Sequence, residues 1–165
     1  MDKKLFLIAE LDNISQERIK DYYKIILENG IIGNQTKDIP YHITLCSYSI
    51  ENENNIKILM DELNNKLNKI NISFSGFGLF GLNVLFLNPN MNEKIIELYN
   101  YFKGNSFDKN NDLAAHVTLL IDEPENILKI LPKITGETKA FTGKIETISL
   151  YEFFPKRFIH KLDLV

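Results

Sequence analysis

The chain contains one cysteine, Cys46, so no internal disulfide is possible and nothing argues for an oxidising compartment. It has no apolar run approaching the length of a membrane span. The opening, Met1-Asp2-Lys3-Lys4, leads into an aliphatic stretch from Leu5 to Ala9 that Glu10 and Asp12 cut off, too short for the core of a signal peptide. A cytoplasmic protein is the expectation. Positive charge is not in excess either. The net charge of −3 counts against tight, sequence-independent binding to long nucleic acid, which relies on many lysine and arginine contacts to phosphates. The lysines are scattered among acids, as in Lys66 and Lys69 after Asp61 and Glu62, the pattern of a solvated face. No His-x-His, Cys-x-x-Cys or His-Glu-x-x-His spacing is present, so no metal and no cofactor are expected. Gly76, Gly78 and Gly81 lie in a phenylalanine-rich stretch and suit a bent strand or turn rather than a nucleotide cradle.

Histidine is scarce too, and what little there is carries the signal. Two of the three histidines open the same phrase, His42-Ile43-Thr44-Leu45 and His116-Val117-Thr118-Leu119. In an extended strand, alternate side chains share a face, so His42 with Thr44 and His116 with Thr118 each form a polar face. Ile43 with Leu45 and Val117 with Leu119 form the apolar backs, suited to burial against helices. A lone His-x-Thr means nothing; the chance that two of three histidines share it with seven threonines in the chain is roughly one in two hundred. An imidazole and a hydroxyl about 6–7 Å apart at their Cα atoms suit one phosphate-sized oxyanion. Two such units suit it from both sides.

The remaining pattern places these phrases in a repeated order. With 44% hydrophobic residues, 165 residues suffice for one well-buried domain spanning 1–165. Leu5 to Leu11 suits a strand. Asn13 with Gln16 resembles a capping box, and Ile19, Tyr22, Tyr23 and Ile26 then recur at helical spacing until Gly30. After the first His-x-Thr strand, the stripe Ile56, Leu59, Met60, Leu63, Leu67 and Ile70 predicts a second helix, and Ile72 to Phe77 a strand. Val84 to Leu87 opens the second half as a strand; Asn90 to Glu93 is another capping box; Ile95 to Phe102 is a helix ending near Gly104. The second His-x-Thr strand follows, Asp122, Pro124 and Glu125 open a fourth helix, and Lys139 to Leu164 alternates as strands do. Glu51 to Asn55 and Lys109 to Asp112 read as polar connections. Each half thus runs strand, helix, His-x-Thr strand, helix, strand. The histidines are offset by 74, which also lays Leu11 over Leu85, the mark of an internal duplication. Two copies packed about an approximate two-fold axis would turn their polar faces toward each other across a groove.

The two phrases, separated by two helices and flanked by strands, resemble the paired signature of the two-histidine phosphoesterases, which include the bacterial 2′-5′ RNA ligase-like proteins. The resemblance covers nearly the whole chain, with Leu150 to Pro155 and Arg157 to Leu164 similar to the family's last strand pair. It implies an α+β fold of duplicated β-α-β-α-β lobes, about 5–77 and 84–150, with mainly antiparallel sheets facing a central groove and C-terminal strands over 145–165. It implies His42 and His116 as acid and base, and Thr44 and Thr118 as holders of the phosphoryl oxygens. The implied reaction is hydrolysis of a 2′,3′-cyclic phosphate or a 2′-5′ linkage on an RNA end or a small nucleotide, with no long duplex and no membrane as partner. The chemistry fits on its own terms, because paired imidazoles with an unperturbed pKa near 6.5 supply base and acid close to neutral pH. The chain departs from the family's pattern in having only Arg18 and Arg157 as arginines and Phe158 near the family's final-strand tyrosine. Lys156 and Arg157 are candidate phosphate contacts from the turn after Pro155, and Tyr151 a candidate stacking surface for a base.

Two rivals use the same residues. Cys46 falls on the predicted face of Thr44 and invites a Cys-His mechanism, but its Cα would lie about 13 Å from that of His42 along the strand. A module that binds a phosphorylated nucleotide or RNA end without turning it over would need the same four side chains. His160 has no motif around it and reads as a strand or surface histidine.

Overall fold

A computed structural model describes residues 3–104, 113–137 and 139–165; the connection expected at Lys109 to Asp112 lies outside these. The elements run β1 (Lys4–Leu11), α1 (Asn13–Glu28), β2 (His42–Ser49), a short 3-10 turn (Ile50–Asn52), α2 (Glu53–Glu62), β3 (Ile70–Phe80), β4 (Val84–Asn90), α3 (Glu93–Gly104), β5 (Val117–Ile121), α4 (Pro124–Gly136), β6 (Phe141–Phe153) and β7 (Arg157–Asp163). The expected α+β order is present in both halves. Pro124 occupies the first turn of α4, where its missing N–H costs nothing.

Three local readings shift, each for a physical reason. The α1 cap is Asp12, whose carboxylate accepts from the Ser15 N–H at 2.9 Å, while Gln16 reaches away to the chain entering β2. The α3 cap is Asn92, which accepts from the Ile95 N–H at 3.1 Å; Asn90 instead bridges Ser73 and Ser75 on β3. The second helix stops at Glu62, because Asn65 adopts a left-handed φ of 59° that ends helical winding. Leu63 and Leu67 still pack on the core from the following turns, which is why the apolar stripe runs past the helix, and Ile70 begins β3.

All the strands pair antiparallel in a single sheet of order β2-β1-β6-β3-β4-β5, with β7 on β6. β6, from the end of the chain, lies between β1 and β3, so the halves are joined through continuous hydrogen bonding. The helices cross over as well: α3 packs against β2, α1 against β5 and α4, and α2 against β7. One apolar core results, from Leu5, Leu7 and Ala9 through Ile43 and Tyr48 to Leu85, Val117 and Leu150. The strands that carry the two histidine phrases are the two ends of this sheet, and the sheet curls until β2 and β5 come into contact without pairing.

Both edge strands bend at the same place. Leu7 pairs with Cys46 and Ile8 with Thr44, so Leu45 is an extra residue; Leu85 pairs with Leu120 and Phe86 with Thr118, so Leu119 is the extra residue of β5. The leucine that ends each repeated phrase is therefore a β-bulge. This revises the internal alignment, because Phe86 rather than Leu85 is the counterpart in β4, and it answers Ile8 rather than Leu11. It also corrects the face of Cys46: the bulge shifts alternation by one, so Leu45 and Cys46 are both buried on the core side.

Candidate active site

His42 and Thr44 on β2 and Thr118 on β5 line one groove of 780 Å³, together with Phe6 and Ile8 of β1, Tyr23 of α1, the connection from Gln35 to Tyr41, Ile121, and Phe153 and Phe154. His116 immediately precedes β5, the edge strand that comes into contact with β2, which carries His42. Three of the four phrase residues, His42, Thr44 and Thr118, line this groove, and His116 is not among its lining residues.

Each imidazole is held by the same short-range device. Nδ1 of His42 lies 2.7 Å from the Pro40 carbonyl oxygen, and Nδ1 of His116 lies 2.5 Å from that of Ala114, two residues back in each case. A carbonyl only accepts, so Nδ1 carries the proton and Nε2 is left as the nitrogen free to take or give one. Beyond that, the surroundings differ. Burial, first, and the charge of His116, last, lower the pKa of His42, while the Pro40 carbonyl works against them. His116 instead meets two phenylalanine rings in T-shaped contacts, with ring centroids 4.8 Å from Phe80 and 5.4 Å from Phe86. The Phe86 ring lies over Gly78, where a Cβ would sit 2.4 Å from it. Glycine at 78 is what lets that ring, and with it the His116 shelf, lie flat on β3.

The chain entering β2 is tied down on several sides. Gln16 grips the backbone of Tyr41 at both ends, its carbonyl accepting from the Tyr41 N–H at 2.8 Å and its amide donating to the Tyr41 oxygen at 2.8 Å. The Asn34 N–H donates to the Ile121 carbonyl at 2.7 Å, and the Ile121 N–H donates to the Gln35 side chain at 3.2 Å, closing the open edge of β5. Gly33, at φ 78° and with Leu120 against it, makes the turn that allows this. The Lys156 ammonium donates to the Asp38 carbonyl at 2.6 Å.

The remaining candidates are placed as follows. Arg157 is held between Glu152 and Glu53, at 2.5 and 2.6 Å, on the side where α2 packs. Lys156 reaches the groove's rim through Asp38 rather than its interior. Tyr151 pairs with Phe6 across β1 and β6, two strands over from His42, stacked on Phe153 and in a T-shaped contact with Phe158. Cys46 faces the core, where burial pushes its thiol pKa up, against its use as a thiolate nucleophile. His160 on β7 pairs with Asp61 of α2 at 2.8 Å. Among the described residues, no cluster of three or more His, Cys, Asp or Glu side chains is arranged to hold a metal ion, and no helix is long and apolar enough to cross a membrane.

Sequence reasoning missed the groove's other walls. The connection over 31–41 has no periodicity to read. Phe6 and Ile8 did leave a signal: β1 is apolar on both faces, one for the core and one for the groove.

The chain has a LigT-like α+β fold. Over 99% of this chain and 98% of the other, it superimposes on Escherichia coli LigT complexed with 3′-AMP with a TM-score of 0.67 at 16% identity. It matches TT0787 of Thermus thermophilus over 98% and 97% of the two chains, with a TM-score of 0.69 at 13% identity. A structure described as a phosphoesterase matches over 99% of both chains, with a TM-score of 0.62 at 15% identity. No protein-family model and no curated protein sequence matches the chain.

Proposed function

We propose that the protein is a two-histidine phosphoesterase that hydrolyses a 2′,3′-cyclic phosphate, or a 2′-5′ linkage, on a nucleotide or RNA end. The observation that carries this is the doubled anchor: two imidazoles from strands at opposite ends of the sheet are each fixed through Nδ1, and His42, Thr44 and Thr118 line one groove where those strands meet. LigT, which shares the fold, has been seen with 3′-AMP, ATP and phosphate, consistent with a nucleotide ligand.

In this reading the neutral His42, kept so by burial, takes a proton from water through Nε2 as the water oxygen bonds to phosphorus. One phosphorus–ribose oxygen bond breaks, and His116 donates its Nε2 proton to the departing oxygen. The Thr44 and Thr118 hydroxyls donate to the non-bridging oxygens as charge builds there, each worth roughly 2.7–4 kcal/mol by analogy with oxyanion donors. Water has been added across one ester bond, and solvent resets both imidazoles. No cofactor enters the scheme.

The test is turnover of 2′,3′-cyclic AMP by His42→Ala and His116→Ala, with circular dichroism as the folding control. Each is expected to lose ~10²–10⁴-fold in rate while staying folded. Wild-type turnover in either variant overturns the assignment.

A further inference from the structure

The groove is poor in positive charge. Among the described residues its lining includes two cations, Lys20 and Lys37, and Lys20 is shared with Glu17 at 2.6 Å. Asp38 adds a carboxylate, and Glu10, the Cα partner of His42 across β1 and β2, adds another on the same face. Arg157 is neutralised by Glu152 and Glu53, and Lys156 keeps its charge but is held at the groove's rim by the Asp38 backbone carbonyl. Among the described residues, a chain of phosphates leaving this site would meet Lys37 and the already paired Lys20, and no row of cations to follow.

The groove is rich instead in aromatic surface at one end, built from rings set edge-on or tilted to one another. Phe6 meets Phe153 with centroids 5.5 Å apart, Phe153 meets Phe154 at 5.5 Å, and Phe154 is 60% exposed. The register places Phe6 two residues along β1 from Ile8, the partner of Thr44, so this shelf begins about 6–7 Å along the strand from the phosphate-facing hydroxyl. That is about the reach of one sugar between a phosphate and its base.

Resting on the phosphoesterase reading above, we infer that the site takes a single-nucleotide phosphodiester, bearing one negative charge, with its base against the Phe6–Phe153–Phe154 shelf, and does not grip an RNA strand. The choice between a small nucleotide and an RNA end is made by the groove's charge.

Two probes decide it: 2′,3′-cyclic AMP, and a ten-nucleotide RNA ending in a 2′,3′-cyclic phosphate. Turnover by the wild type and equilibrium binding to His42→Ala are measured for both at about 50 and 200 mM salt. The expected result is no gain for the longer probe, with a log–log salt slope no steeper than about −1; four phosphate contacts to a single strand would give about −3. Phe154→Ala is expected to raise KM for cyclic AMP about tenfold with kcat little changed, the loss typical of one stacking contact. A tenfold preference for the longer probe with the steep slope, or an unchanged KM in Phe154→Ala, overturns the inference. If the wild type turns over neither probe, the phosphoesterase reading fails instead, and the binding isotherms of His42→Ala still decide which size of ligand the groove takes.

Discussion

The two edge strands are near copies in backbone and near opposites in what surrounds them. Both run from a half-buried histidine through a buried aliphatic residue and a half-buried threonine to two consecutive buried residues, with the bulge at the same leucine. Both tether Nδ1 to the carbonyl two residues back. Yet His42 is held by a tied-down connection and buried enough to favour its neutral form, whereas His116 rests on phenylalanine rings supported by Gly78. On the proposed reading, what the two halves must repeat is a strand that turns imidazole and hydroxyl to one face, and both do so with a bulge at the next leucine. On that same reading the environment must not repeat, since one imidazole accepts a proton while the other donates.

Breaking the symmetry at its centre gives the largest effect. If the two halves act as one unit, the double variant His42→Ala/His116→Ala should be no slower than either single variant, each down ~10²–10⁴-fold. Multiplied losses in a cyclic AMP assay would mean that the rings work separately. Next is Gly78→Ala, which touches only the second half. Its Cβ displaces the Phe86 ring and shifts His116, and a misplacement of about an ångström costs on the order of 10²-fold in kcat. KM should be nearly unchanged, and a wild-type kcat would show that the shelf is dispensable. Gln16→Leu touches only the first half. It frees both ends of the Tyr41 backbone beside His42 and should cost about tenfold in kcat, the kinetic equivalent of one or two hydrogen bonds. Gln16→Glu keeps the acceptor for the Tyr41 N–H and should recover part of that loss.

How far all this was legible follows from which signals are local. Strand alternation exposed the two phrases and the buried side behind them, because period two is written in consecutive residues. Element order was legible for the same reason, down to Pro124 opening α4. The bulge was not, because an extra residue shows only in the partner strand's register, and so Cys46 was read onto the wrong face. The caps slipped by one or two residues because Asp12, Asn13, Asn90 and Asn92 are all competent acceptors and only packing chooses among them. The placement of β6 between β1 and β3 has no trace in any local pattern. The groove's far wall, from Gln35 to Tyr41, is irregular backbone secured by hydrogen bonds to Ile121, Gln16 and Lys156, residues 25 to 118 positions away.

The smallest expected effect sharpens the comparison most, because it asks whether the halves sense each other's charge. His116→Gln removes a positive charge that helps to hold the His42 pKa down, so His42 should titrate higher in the variant than in the wild type. It should still fall below the ordinary imidazole value, because burial is the larger cause and remains. The sign carries into stability. A depressed native pKa means that the unfolded chain binds the proton more readily, so the contribution from His42 is complete above the ordinary imidazole value. It is lost as pH falls from there through the depressed native value. The same limb should appear in the wild-type rate, with the acidic arm of a bell-shaped profile lying below the ordinary imidazole range. Histidine ring resonances followed by NMR from acid to neutral pH read the shift directly, and denaturant midpoints over the same range read its linkage. A His42 titration unmoved by His116→Gln would place the two rings too far apart to share one phosphorus.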